Sequence, residues 1–377
     1  MRRALAIVTM ALVLLAPCLA RAAEVVKVLV PDRGNLQFTS FWVADAAGYF
    51  AEEGMQIEIV TPPGPPQAEA FFEAHEADVA VLPPPVYASL ISHGVPVVLV
   101  ANLLANDPIN LVVRRSVMEA RGLRADMPLK TRLEGLRGLR LGVAPHPPTR
   151  LRLLYSSVGL DADKDITQVI LHGKEQNEAF REKEVDALYA HTPYLERALL
   201  HDDAVMLVNQ SAGEVAGLAQ RQIHALTVRR SFLDLHEPMV RGLVRAIAKA
   251  EVLARTKPDA SSVHLAKTFP QRDRAEIDLI ARLYAPAIPE TPTVHADLIP
   301  NAVDLFPAEK ARPDLSKVDL HAHVFVIAPP IADRAPLTEQ RWFQILGAVV
   351  GGLVFVVTSA LMRARMMKRD LPPDART

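Results

Sequence analysis

The stretch Phe41-Trp42-Val43-Ala44-Asp45-Ala46-Ala47-Gly48-Tyr49-Phe50-Ala51-Glu52-Glu53-Gly54-Met55-Gln56-Ile57-Glu58-Ile59-Val60 changes period partway along. Up to Gly54 it is alanine-rich and helix-forming, with Ser40 placed as its N-cap and Gly54 as its terminator. From Gln56 to Val60, polar and β-branched residues alternate as in a half-buried strand. Upstream, residues 25–30 form a β-branched run stopped by Pro31, which reads as a buried first strand. Strand, helix and strand in immediate succession place the chain in the α/β class.

The alternation continues. Residues 68–74 read as a short helix, 78–82 as a strand and 86–93 as a helix ending at Gly94. Residues 95–103 and 110–114 read as further strands of the same sheet. A polar, basic stretch over 116–137 interrupts the pattern, which then restarts. Strands at 139–143, 166–171, 186–189 and 204–208 alternate with helices at 149–158, 175–183 and 193–200. Residues 224–229 return as a strand, followed by an amphipathic helix over 238–256 with Met239, Leu243, Ile247, Ala250 and Leu253 on one face. Residues 286–340 are rich in proline, weakly patterned, and read as a stalk.

With 377 residues, half of them apolar and 23% charged, the chain can build two cores and is not a disordered one. One cysteine, Cys18, excludes a disulfide framework and any multi-cysteine metal centre. The 33 Lys and Arg of residues 23–340 stand against 41 Asp and Glu, leaving that span at −8. Nucleic acid is therefore not an expected partner, because binding a polyanion needs a basic face.

The two ends specify a compartment. Residues 1–22 carry Arg2 and Arg3, a short apolar core and the Ala20-Arg21-Ala22 cleavage pattern, and read as a secretory signal peptide. Residues 342–362 contain no charge, and at ~1.5 Å per residue they match the ~30 Å hydrocarbon core of a bilayer. Arg363, Arg365, Lys368 and Arg369 follow, so the positive-inside rule puts the tail in the cytoplasm. The expectation is a single-pass inner-membrane protein with a C-terminal transmembrane helix (341–363), a periplasmic body and a short cytoplasmic tail (364–377).

The block from Ala44 to Val60 resembles the "A-x-x-x-G-y-F-x-x-e-G-l-x-v-e-x-v" signature of the nitrate/sulfonate/thiamine-pyrimidine-precursor family of ABC-transporter periplasmic solute-binding proteins. Ala77-Asp78-Val79-Ala80-Val81 and His93-Gly94-Val95-Pro96-Val97 are similar to its next two blocks, and Leu136 to Val143 to the opening of its second domain. Glu184-Val185-Asp186-Ala187-Leu188 and the run from His224 to Phe232 with Pro238 resemble the blocks that follow. The resemblance implies a type II, two-lobed clamshell. Its first lobe would take residues 23–115, its second 116–215, and the return to the first lobe with the stalk 216–340. The chain would cross between lobes near 114–126 and 210–221. A small-molecule solute would bind between the lobes and pass to an ABC permease in the inner membrane. The tether is unusual for that family and keeps open a sensing or scaffolding subunit of another membrane complex.

Within that frame four loops, 37–42, 82–85, 144–149 and 190–194, would converge on the cleft. The candidate ligand-binding residues are Phe38, Ser40, Phe41, Trp42, Pro84, His146, Thr149, His191 and Thr192. The aromatic members would stack on a flat or apolar solute; Thr149 would cap a helix, and His191 and Thr192 would supply polar contacts. Anions are commonly held by N–H groups at helix starts. Pro83, Pro84, Pro85, Pro145, Pro147 and Pro148 have no N–H to give. A neutral or aromatic solute is therefore expected, with Arg150 and Arg152 either anion partners or solvent-facing. No nucleophile, zinc-protease, phosphate-loop or dinucleotide motif points to an enzyme, and no cofactor is implied. His321-x-His323 puts two imidazoles on one strand face but lacks a third metal ligand.

Overall fold

The computed structural model describes residues 23–63, 67–145, 148–306 and 311–327. The segment expected as a signal peptide (1–22), the apolar run (342–362), the tail and His146 lie outside the described residues. Among the described residues no helix is long and apolar enough to cross a membrane.

Among the described residues ten strands form two sheets: β1 (Glu24–Leu29), β2 (Met55–Val60), β3 (Val79–Leu82), β4 (Val97–Leu104), β5 (Asn110–Arg114), β6 (Arg140–Val143), β7 (Thr167–Ile170), β8 (Ala187–Ala190), β9 (Ala204–Val208) and β10 (His224–Arg229). The first sheet has the order β2-β1-β3-β10-β4 and the second β7-β6-β8-β5-β9. Glu24 faces Met55 and Leu29 faces Val60 in the parallel β1–β2 pair. In each sheet one strand runs against its neighbours: β10 is antiparallel to β3 and β4, and β5 to β8 and β9. Each antiparallel strand arrives from the other sheet, so the two units are exchanged symmetrically.

That pairing corrects the expected crossing. Residues 110–114 belong to the second sheet, so the chain first crosses at 105–109 rather than at 114–126. The return crossing occupies 209–223, close to the expected 210–221.

Both sheets are covered on two faces, which explains their near-continuous apolar strands. Alternate residues of one strand go to opposite layers: Val28 joins a core with Trp42, Leu243 and Ile280, whereas Leu29 joins one with Phe72, Tyr87 and Leu90. In the second unit Val113, Leu141 and Tyr189 pack on Leu151 and Tyr155, while Val112 and Leu188 pack on Phe180 and Ala198.

Three further elements differ from expectation. The helix expected over 41–54 is two, Thr39–Ala46 and Tyr49–Glu52, because Gly48 adopts φ +81° between them. The long helix begins at Arg230, with non-helical His236 ahead of Pro238. Residues 285–306 are not a stalk. Val294, Ile299 and Ala302 are buried on the first sheet's helix layer, and Ala287, Ile288 and Leu305 reach the second unit's core. Beyond them Leu320–His323 is a short 3-10 turn, and Val324 bridges Leu99 beside β4. His323 Nδ1 lies 2.7 Å from the Val97 carbonyl, which gives that imidazole a structural partner.

Candidate functional site

The loop after β1 turns by local hydrogen bonding. Asn35 Oδ1 accepts from the Gln37 N–H at 2.8 Å and Thr39 Oγ1 donates to the Leu36 carbonyl at 2.7 Å. This caps the Leu36–Phe38 turn and fixes the start of the next helix, a task expected of Ser40; the Ser40 hydroxyl is instead buried without a partner among the described residues. The turn aims Gln37 and Phe38 at the first residue of β10. His224 Nε2 lies 3.1 Å from Gln37 Oε1, and the Phe38 ring meets the imidazole edge-on at 4.9 Å between centroids.

From the second unit, His191 and Thr192 follow the end of β8, and the helix Pro148–Ser156 presents Arg150 in its first turn. Arg150 Nε donates to Asp107 Oδ2 at 2.6 Å. Asp107 stands on the first crossing with its side chain 0% exposed, and that of Arg150 is 12% exposed. The charges of Arg150, Asp107 and Asp32 all act on His191, and those of Arg150 and His191 act on His224. Both lobes and the first crossing therefore contribute to one cluster.

Both imidazoles are held neutral. Burial lowers His191, with the Thr192 carbonyl opposing, and burial lowers His224 to about 3, helped by the positive charge of Arg150. His191 Nδ1 faces the Thr192 carbonyl at 2.6 Å and so carries the proton, leaving Nε2 as an acceptor. His224 donates through Nε2 to Gln37, leaving Nδ1 as a buried acceptor without a partner among the described residues. The Thr192 hydroxyl is likewise buried and unpartnered. Neutral acceptors and a hydroxyl suit a solute that brings its own N–H or O–H donors.

The expected site residues divide. Phe38, His191 and Thr192 lie at this cluster. Phe41 and Trp42 do not: at 0% and 1% exposure they are core side chains. Phe41 packs at a tilt on Phe50, while Trp42 meets Phe269 edge-on and donates its indole N–H to the Asn35 carbonyl at 2.8 Å. Thr149 sits inside the helix rather than capping it, and its hydroxyl donates to the Phe306 carbonyl at 3.3 Å. Pro84 is buried at the first position of the helix Pro84–Ser92. Pro83 to Pro85 fill its cap and first two positions, and the next two N–H groups, of Val86 and Tyr87, already bond the Pro83 carbonyl at 3.0 and 3.2 Å. This helix start offers an anion nothing.

Gln37, Asp107 and His224 were absent from the expected set. Their signals are faint: an acid between two apolar strands, and polar residues opening a turn and a strand. His224 is 187 positions from Gln37, a pairing no local pattern announces.

A family model described as NMT1/THI5 like matches residues 35–261. A protein of Haemophilus influenzae named for thiamine biosynthesis is 27% identical over 150 residues, 39% of this chain and 44% of that protein. The chain thus matches less than half the length of that curated relative. Among solved structures, one from Bordetella bronchiseptica RB50 aligns with TM-score 0.60 at 18% identity, covering 80% of this chain and 95% of the other. The periplasmic aliphatic sulphonate binding protein SsuA from Escherichia coli aligns with TM-score 0.58 at 19% identity, covering 80% and 97%. The alkanesulfonate-binding protein SsuA from Xanthomonas axonopodis pv. citri, bound to MOPS, aligns with TM-score 0.56 at 17% identity, covering 81% and 99%. These likenesses show a shared two-sheet α/β fold of the periplasmic-binding-protein type. Since the matched region takes in more than half of its residues, the chain belongs to the NMT1/THI5-like family.

Proposed function

We propose that this protein is the solute-binding component of an ABC importer, its body in the periplasm and tethered to the inner membrane through residues 342–362. The solute lies between the lobes, against Gln37, Phe38, His191, Thr192 and His224. It is a small neutral or aromatic molecule rather than nitrate or a simple sulfonate. The observation that carries this reading is the buried Asp107–Arg150 pair, which cancels the charge of the cationic side chain that an anion would need. The Pro83–Pro85 helix start, closed to anions, supports it. Closure on a solute shifts an open–closed equilibrium by the solute's preference for the closed form, and micromolar affinity corresponds to ~8 kcal/mol in total.

The test is native mass spectrometry of the full-length protein purified in detergent, followed by calorimetric titration of whatever co-purifies. A neutral, hydrogen-bonding guest that binds at micromolar concentration or better is expected. Tight binding of nitrate or taurine overturns the reading.

A further inference from the structure

Asp107 has three bonds and each fixes it. Its N–H donates to the Leu218 carbonyl on the return crossing at 3.0 Å. Its Oδ1 accepts from the Ile109 N–H at 3.1 Å, and its Oδ2 accepts from Arg150 Nε at 2.6 Å. A carboxylate built into both crossings is not free to swing away when a guest enters. Arg150 spends one edge of its guanidinium on Asp107; its two terminal nitrogens have no hydrogen-bond partner among the described residues. The cleft therefore holds a forked donor whose positive charge is already matched, with Asp32 adding a further negative charge toward His191 and Tyr194.

We propose that Asp107 is the residue that sets the charge selectivity of the cleft: it keeps Arg150 as a charge-balanced donor pair for a neutral acceptor, such as a carbonyl or ring nitrogen, and repels oxyanions. This rests on the reading of the cleft as a solute site. The chemistry is direct. A guanidinium paired with a carboxylate still donates hydrogen bonds, but an oxyanion placed on its open edge also faces the carboxylate a few ångströms away. Remove that charge and keep the shape, and the same fork becomes a bidentate oxyanion receptor.

The experiment titrates ethanesulfonate into full-length wild type and Asp107→Asn by calorimetry, with a parallel melting-temperature series. A hydrogen bond to a charged group contributes ~1.5–3 kcal/mol, so D107N is expected to gain about 10- to 100-fold in sulfonate affinity. The double variant Asp107→Asn/Arg150→Gln is expected to lose that gain. Wild type that binds ethanesulfonate as tightly as D107N overturns the proposal, as does a folded D107N that gains nothing. Stripping the partner from a buried charge destabilises, so D107N is also refolded with saturating ethanesulfonate. Recovery of its melting transition supports the proposal, and a chain that stays unfolded there counts against it. Failure of the receptor reading looks different: wild type would ignore every neutral carbonyl and heterocyclic solute tried, whatever D107N does with sulfonate.

Discussion

Trp42 shows how one aromatic residue carries two meanings until its neighbours are known. By position it follows the first strand's loop, where a cleft-facing ring would stack on a ligand. In the fold the next helix begins at Thr39, one turn rotates Trp42 inward, and its indole N–H finds the Asn35 carbonyl. Its energetic role is therefore packing, with the N–H satisfied as burial demands. Trp42→Ala should cost ~3–5 kcal/mol of stability, read as a lower urea midpoint, and any loss of solute binding should track that unfolding. A variant that keeps its midpoint but loses binding would return Trp42 to the site. Phe38, four residues earlier, is also buried but packs on His224 at the proposed solute site. Composition could not separate the two, because what distinguishes them is the partner ring, far along the chain.

At the scale of elements, much of the α/β pattern was legible: the residue ranges of β9 and β10 match expectation, and β1, β2 and β6 differ by a residue. Period and turn residues are local signals, and these elements obey them. Sheet membership is not local. Asn110–Arg114 passes through the second sheet and looks like one more strand of the first, since its Leu-Val-Val centre fits either. The short crossing at 105–109 was hidden for that reason, and with it Asp107. Gly48 was legible as a residue but not as a break. At φ +81° it ends one helix and opens the next, and a Cβ there would meet nothing within 4 Å. The penalty for a side chain is thus backbone strain alone. Gly48→Ala should destabilise by ~1–2 kcal/mol without altering solute affinity, measured by urea unfolding and calorimetry on the same sample. A neutral outcome would mean that the two helices can merge.

Across the whole molecule, buried titratable groups of opposite sign are set against each other. Glu196 of the second unit is fully buried and is pushed by burial from 4.5 up to about 7, with the Tyr284 hydroxyl opposing. It sits within reach of Tyr284, Glu276 and Arg272, which belong to the first unit's helix Arg274–Tyr284 and the loop before it. Glu251 is buried in the same manner and shifted the same way. His224 goes the other way, from 6.5 to about 3, and His191 is lowered with it. A raised carboxyl contributes stability that is complete below pH 4.5 and is lost as pH rises toward about 7. A lowered imidazole does the reverse: below 6.5 the unfolded chain takes a proton that the folded one refuses, so stability falls as the pH drops toward about 3. Between 4.5 and 6.5 the two slopes oppose, one proton each, and the Glu196 and His224 contributions cancel. Glu196→Gln, neutral at every pH, should remove one arm. Relative to wild type, its folding constant should rise with pH by up to tenfold per unit over that window. His224→Gln should tilt the difference the opposite way, and the double variant should restore the wild-type slope. Urea unfolding at half-unit intervals from pH 4.5 to 7 reads all three. If E196Q follows the wild-type curve in parallel, the Glu196 carboxyl is ionised inside the fold and the balance does not exist.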